Sequence, residues 1–482
     1  MRSRTHETIL KNTVFLIVGR LVSRAFQFLV LIYAARVLGA ERIGVFFYAS
    51  AMVGLLSIPM ELGISTYIVQ ELSRNPSRTA DFMGAGLTLK AALAFLGLCL
   101  IAGTGLALGE ERQTLLILGV LGLYLGLENI NNIFAALFRA REQMNYEALL
   151  ISVSGLCASV LGFVSLQLFA DLFWFSAVYV LGSCVRLILH GWWAIRLYGP
   201  PASEFDRSLC FDLLRKGTPF ALVSGFITIY YYIDTVLLKA YWGNEVVGWY
   251  NAAYRLLEAP LFLSSALTTA IFPAASKLFQ KNPDELKTIV LQAVEKALLF
   301  GTAIALLVAF FSVPLIQVIY GSGYEKASLA LPILIFSVAI IFPSTILGTT
   351  IRAIGKQTVS AWVTGLAAAL NVALNLAIIP TYSFVGAAWT TLITEIFVIV
   401  VYGTLVWRYL GATLSGRALF RFAGIVLLLW GYLHFTAGLG MWVQIIAYPI
   451  CLVGLLLATR ALSAAELKAL LAMFVPQARK IA

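Results

Sequence analysis

TVFLIVGRLVSRAFQFLVLIYAARVL, residues 13–38, is the stretch that decides the fold. It outruns the about 20 residues that a helix needs to cross about 30 Å of hydrocarbon. It is too long, and with Arg20 and Arg24 too charged, for the apolar region of a cleavable signal peptide, so it is expected to remain as a first span. Similar runs recur to the end of the chain. On the same ruler fourteen spans are predicted: 13–38, 43–69, 82–108, 114–138, 147–169, 172–195, 217–240, 246–276, 290–319, 328–351, 358–380, 384–410, 418–436 and 440–459. The composition agrees. Of the 482 residues 61% are hydrophobic and 12% charged, and the mean hydropathy is +0.91. Soluble proteins sit near about 45–50% and about 25%. The chain therefore reads as an all-α polytopic membrane protein. A soluble enzyme, a nucleic-acid binder, a disulfide scaffold and a disordered chain are excluded.

The net charge of +11 says little by its sign, and the positions of the basic residues along the chain say more. Of 34 Lys and Arg, 23 fall in or beside one set of alternate loops and 5 (Arg36, Arg42, Arg112, Lys239 and Lys326) on the other, which places both termini in the cytoplasm. The cysteines Cys99, Cys157, Cys184, Cys210 and Cys451 have no paired spacing and read as small core residues. An internal repeat is visible. Gly39-Ala-Glu41-Arg-Ile-Gly44 opens span 2 and Gly243-Asn-Glu245-Val-Val-Gly248 opens span 8, while Phe138-Arg139-Ala140 closes span 4 and Ile351-Arg352-Ala353 closes span 10. Duplication of a six-span unit gives two parallel, pseudo-symmetric lobes. The expected organisation is 1–205 (spans 1–6), 206–411 (spans 7–12) and 412–482 (spans 13 and 14 with a cytoplasmic tail). In that tail Ser463-Ala-Ala-Glu466 has capping-box spacing and precedes Leu467, Leu470, Leu471 and Phe474, an amphipathic helix at the interface.

Six basic residues remain inside the predicted spans: Arg20, Arg24, Lys90, Arg186, Arg255 and Lys296. Each costs about 2.5–3.5 kcal/mol at a helix centre on insertion scales, so each needs a reason. Lys90, Arg186 and Lys296 lie near enough to span ends for snorkelling or a structural ion pair. Arg20 and Arg24 lie deeper and, four residues apart, share one face of span 1, where an anion would relieve their repulsion. Arg255 reaches the middle of span 8, with Glu258 three residues on as an alternative partner. The intramembrane acids are Glu61, Glu128, Asp234, Glu258 and Glu395. Asp234, Glu61 and Glu258 are candidate coupling groups, and Tyr231 and Tyr254 candidate sugar contacts, with interfacial packing as the alternative for the tyrosines. Glu128-Asn129-Ile-Asn131-Asn132 suits interhelical hydrogen bonding as well as transport. His6, His190 and His434 have no ligand or triad partners at the required spacing, and no phosphate-binding loop occurs. No cofactor or metal is expected beyond H+ or Na+ coupling, which points to secondary transport.

Asn371-Val-Ala-Leu-Asn375-Leu-Ala-Ile-Ile-Pro380, followed by Val385-Gly386-Ala387-Ala388, resembles the span 11–12 signature of the polysaccharide flippases in the multidrug/oligosaccharidyl-lipid/polysaccharide exporter superfamily. Gly248-Trp-Tyr250-Asn-Ala-Ala-Tyr254-Arg255 with Ile271-Phe-Pro273 is similar to that family's span 8, and Gly19-Arg20-Leu-Val-Ser-Arg24 to its opening hairpin. The resemblance covers essentially the whole chain. It implies two six-helix lobes around a cavity lined by spans 1, 2, 7 and 8, working by alternating access. The implied cargo is an undecaprenyl-diphosphate-linked oligosaccharide or a similar polyprenyl-linked glycan, carried to the outer leaflet for cell-surface polysaccharide biosynthesis. Arg20, Arg24 and Arg255 would then bind the diphosphate, since guanidinium forks suit phosphate oxygens. Lipid II flippases also carry arginines on span 1. Here no acid follows the second one, so a peptidoglycan precursor is not the expected cargo. The alternatives are a cation-coupled multidrug exporter of the same superfamily and a membrane-embedded glycosyl- or acyltransferase. The partners expected are this glycan and the bilayer of the inner (plasma) membrane, and no nucleic acid. Reporters fused at either terminus are expected to be active only on the cytoplasmic side. A reporter read from outside the cell would overturn the charge-based orientation.

Overall fold

The computed structural model describes residues 2–202, 206–413, 415–459 and 461, with side chains from Val22 onward apart from 262, 265–267, 269 and 270. Helices carry almost all of it, and no strand forms among the described residues. The physical reason is that hydrocarbon offers backbone groups no partners, so each segment must satisfy its own. In chain order the helices are α1 (Arg2–Leu56), α2 (Ile58–Glu61), α3 (Ile64–Arg74), α4 (Thr79–Ala107) and α5 (Arg112–Ala140). Next come α6 (Met144–Phe169), α7 (Leu172–Tyr198), α8 (Arg207–Trp242), α9 (Asn244–Lys281) and α10 (Pro283–Phe310). The last are α11 (Ser312–Tyr320), α12 (Ala327–Ala353), α13 (Gln357–Leu410), α14 (Gly416–Phe435) and α15 (Met441–Ala458).

Two of these are far too long for one crossing. A straight helix of the length of α1 or α13 would measure about 80 Å. Each contains one non-helical residue, Gly39 (φ 79°, ψ 169°) in α1 and Ser383 (φ 53°, ψ −142°) in α13. Each is therefore two spans meeting at a break, at the places where the apolar pattern separated spans 1 from 2 and 11 from 12. Ten helices among the described residues are long and apolar enough to cross a membrane. The bent pair Val22–Leu56 and Ile58–Arg74 makes an eleventh, with a 47° bend. Dividing α1 and α13 at their breaks and including α9 brings the total to the expected fourteen. The amphipathic helix expected at 463–474 lies outside the described residues.

Contacts divide the chain into two compact units. The first comprises Met1–Asn251, Ile319–Tyr324 and Asn375–Phe384. The second comprises Ala252–Val318, Glu325–Leu374 and Val385–Ala482. In the first, a core of Ile68, Phe82, Leu137, Phe138 and Leu213 joins α3, α4, α5 and α8. In the second, α10 packs on α12 and α14, and Leu299, Ala303, Leu429, Leu433 and Tyr448 form a core that includes spans 13 and 14. The linker between α7 and α8 ends at Asp206. Its carboxylate caps α8 by accepting from Ser208 N (2.9 Å) and Leu209 N (3.0 Å). The Ser208 hydroxyl bond and these amides hold the Asp206 carboxyl below the usual carboxylate range.

The repeat seen in the sequence has a structural consequence inside the first unit. Gly39 and Gly243 share one backbone conformation, with φ of 79° and 82° and ψ of 169° and −179°. The two repeat copies then pack against each other. A Cβ at Gly44 would lie 1.8 Å from the Asn244 carbonyl oxygen, and one at Gly248 would lie 2.1 Å from that of Ala40. This reciprocal contact of span 2 with α9 needs small residues, because backbone meets backbone. The second repeat match is also kept. Arg139 bonds the residue eight positions on, Glu147, at 2.5 Å, and Arg352 does the same to Ser360 at 3.4 Å. Gly44→Val is expected to force the helix starts apart and destabilise the protein by at least the ~1–3 kcal/mol of ordinary overpacking. Gly119→Ala meets no atom within 4 Å and should leave stability unchanged or raise it. Thermal unfolding of both variants in detergent checks the pair.

Candidate functional site

A polar cavity of about 440 Å³ opens within the first unit among α1, α5, α6 and α7. Its size falls in the range of small-molecule sites, about 300–1,000 Å³. Small residues on α6 make the room. A Cβ at Gly155 would come within 2.2 Å of Ser23 Oγ and 2.3 Å of Gln27 Nε2, and Ser159 and Gly162 continue that face. Ser23, Arg24 and Gln27 enter from α1, and the Gln27 amide donates to Ser23 Oγ (3.2 Å).

Two ion pairs sit in the wall. Arg186 of α7 donates to Glu128 Oε1 of α5 at 2.5 Å, and the Ser183 hydroxyl donates to the same oxygen. Arg139 at the end of α5 grips Glu147 of α6 with two bonds, Nη2 to Oε1 at 2.5 Å and Nε to Oε2 at 3.0 Å. Arg24 differs from both. Its guanidinium is exposed on the cavity and makes no ion pair among the described residues. The cavity therefore holds three guanidinium groups against two carboxylates. Both carboxylates are already engaged by arginines, and the surplus positive charge is that of Arg24.

The other expected site residues are distributed differently. The side chain of Arg20 lies outside the described residues. Arg255 belongs to the second unit and bonds Glu258 at 2.5 Å, the partner three residues on that the spacing offered. Tyr254 is buried, with 8% exposure, so it presents no open ring face. Asp234 is buried in the first unit, where its carboxylate accepts from the Tyr250 hydroxyl and from Thr235 N (2.7 Å). Tyr231 is half-buried and meets Tyr232 edge-on at 5.5 Å. Glu61 pairs with Lys90 at 2.6 Å. Arg24, Asp234 and Glu61 thus occupy one unit but three separate sets of partners.

Sequence reasoning passed over Arg139 and Glu147. Arg139 counted as a loop charge, although it stands eight residues before an acid across one tight turn. For Arg186, read as snorkelling or in a structural ion pair, the structure shows the ion pair, with Glu128 as the partner. The polar stretch after Leu127 does form interhelical bonds, including Asn131 Nδ2 to Ser183 O at 3.3 Å. A usable signal for the cavity was the spacing Gly155, Ser159, Gly162, which puts small residues on one helical face.

Comparison with known proteins places this geometry. Residues 9–279 match the family described as polysaccharide biosynthesis protein, more than half of the chain. The chain belongs to that family. Residues 219–377 also match the family described as MatE. It is 23% identical over 392 residues to a probable low-salt glycan biosynthesis flippase, Agl15, of Haloferax volcanii, covering 79% of this chain and 80% of that protein. It is also 23% identical over 407 residues to the capsular polysaccharide biosynthesis protein CapF of Staphylococcus aureus, covering 82% and 98%. Among solved structures it shares its fold with the lipid II flippase MurJ in an inward closed conformation. The TM-score is 0.74 at 12% identity, over 91% of this chain and 98% of that one.

The cavity makes a contrast in stability testable. Glu128→Ala leaves Arg186 uncompensated in a half-buried wall and is expected to cost up to ~3–5 kcal/mol. Arg24→Ala removes no partner and should stay within about 0.5 kcal/mol of the parent. Denaturation of the two variants measures this directly. Equal losses would mean that Arg24 is structural.

Proposed function

We propose that the protein is a flippase that carries a lipid-diphosphate-linked oligosaccharide from the cytoplasmic to the outer leaflet by alternating access, for cell-surface polysaccharide biosynthesis. The observation that carries this reading is the exposed guanidinium of Arg24, which makes no ion pair among the described residues, in a hydroxyl-rich cavity whose other charges are already matched. Membership of the polysaccharide biosynthesis family and the glycan-related names of its relatives support it. A diphosphate is a double anion, and a planar guanidinium can meet two of its oxygens at once. Serine hydroxyls, the Gln27 amide and the rings of Tyr124 and Tyr179 offer a glycan both hydrogen-bond partners and ring faces. The lipid tail needs no pocket because it stays in hydrocarbon. In this reading the carrier is an undecaprenyl or similar polyprenyl chain, Arg20 and Arg255 assist with the diphosphate, and Asp234, Glu61 and Glu258 are candidates for H+ or Na+ coupling. The protein resides in the inner (plasma) membrane with both termini in the cytoplasm, and it is a transporter rather than an enzyme.

The match to the MatE family supports a second reading, a cation-coupled drug exporter. A cationic drug needs an uncommitted carboxylate. In the cavity described, Glu128 and Glu147 are each held by an arginine, which favours an anionic cargo.

The test uses purified protein in liposomes with a labelled undecaprenyl-diphosphate oligosaccharide, reading how much label reaches the far leaflet. Wild type should translocate it. Arg24→Ala loses charge-assisted bonds of about 1.5–3 kcal/mol, which is roughly a 10- to 100-fold loss of transport. Arg24→Lys should retain part of the rate, keeping the charge without the fork. Wild type that moves cationic dyes but not the glycan would establish the exporter. Full activity in Arg24→Ala would remove the cavity from the transport path.

A further inference from the structure

Span 2 does not run straight. After α2 the chain passes through two residues with left-handed backbone, Leu62 (φ 41°) and Gly63 (φ 66°), before α3 begins. Such a break strands the last carbonyls of the preceding turn, which in hydrocarbon must find other donors. Here the donor is Lys90 of α4, whose side chain has no solvent exposure. Its ammonium lies 3.0 Å from Met60 O, 3.0 Å from Glu61 O, 2.6 Å from Glu61 Oε2 and 3.3 Å from Asn129 Oδ1.

An ammonium has three protons, fewer than the oxygens gathered around it. The arrangement is thus coordination of a point charge by two carbonyls, one carboxylate and one amide, and goes beyond a simple ion pair. Each ligand is held independently. Met60 is fully buried against Gly97, where a Cβ would fall 2.0 Å from Met60 Cε. Asn129 donates from Nδ2 to Leu125 O at 3.0 Å, which turns its oxygen toward Lys90. On the far side, Gly63 is pressed against α8, with a Cβ there only 2.2 Å from Gly217 O. A second cavity, of about 230 Å³, opens beside the break and is lined by Ser57, Glu61, Asn129, Asn132, Ser224 and Thr228.

We propose that the break in span 2 is a monovalent-cation site, that the ammonium of Lys90 is its resident, tethered cation, and that this ammonium holds the span in its broken form. Straightening the span would return the two carbonyls to backbone amides and leave the ammonium with one carboxylate and one amide. The tethered charge thus sets the shape of the helix that carries Gly44 and its close crossing with α9. This inference does not depend on the identity of the cargo.

Lys90→Ala removes the atoms of a propylammonium ion and leaves its oxygen ligands in place. The expected result is a lower melting temperature. Propylammonium should restore it saturably, while n-propanol, choline and sodium at the same concentration should not. Wild type should not respond. Lys90→Met fills the channel without the charge, so it should melt low and be indifferent to propylammonium. Recovery of Lys90→Ala by propanol as well as by propylammonium, or by neither, would overturn the proposal, as would a Lys90→Met protein of wild-type stability. Where neither lysine variant folds, Glu61→Ala decides. The ammonium loses its counter-charge but keeps three oxygen ligands, so this variant should still fold and be less damaged than either lysine variant. A Glu61→Ala protein as damaged as the lysine variants would reduce the cluster to a salt bridge.

Discussion

A charge inside a membrane protein must be neutralised from within, because the surrounding hydrocarbon supplies neither water nor counterions. In the first unit this requirement organises the helices. Lys90 ties α4 to the break in span 2, Arg186 ties α7 to α5, Arg139 ties α5 to α6, and Lys239 of α8 reaches Glu110 before α5 at 2.5 Å. Each pair joins segments whose apolar faces would otherwise slide against one another, since lipid is as apolar as leucine and gives helices no hydrophobic reason to associate. Arg24 gains its meaning from this background. Where the surrounding charges are bonded, this guanidinium stands open on a cavity and makes no ion pair among the described residues.

Close backbone approach is the second organising device. Gly44 against Asn244 and Gly248 against Ala40 bring two copies of one repeat together around what amounts to a local two-fold axis. Segments from further along the chain join the same unit. Tyr324 donates its hydroxyl to Ala35 O at 2.9 Å, Arg36 donates to Ile319 O at 2.7 Å, and Trp249 donates to Gly323 O at 2.9 Å. Two of these bonds satisfy carbonyls near the ends of helical segments and the third a carbonyl in the turn after α11. The boundary between the two contact units falls inside α9 at Asn251.

The spans, the breaks near Gly39 and Ser383, the repeat and the helix ends at Ala140 and Ala353 were all legible in the sequence. Each follows from local apolar length or from a residue whose backbone preference is its own. The outlier charges were legible as anomalies. Their resolution was not, because an intramembrane arginine has several acids within reach along the chain and in space. Arg255 took the acid three residues on, whereas Arg186 took one 58 residues away. Lys90, read as snorkelling or as one half of an ion pair, proved to be coordinated by the carbonyls of a broken helix as well as by Glu61. No sequence pattern announces a carbonyl ligand, since every residue has one.

The amino-acid sequence by itself determined that the chain is a many-span α-helical membrane protein carrying more charge inside the bilayer than anchoring requires. Length and hydropathy suffice for that, because crossing hydrocarbon is a property of single segments. Only the tertiary structure decided which charges are paired and which stands exposed on a cavity, and where a helix had to break. Those outcomes depend on neighbours tens to hundreds of residues away, and in a medium without water the partner that is nearest in space settles the state of every polar group.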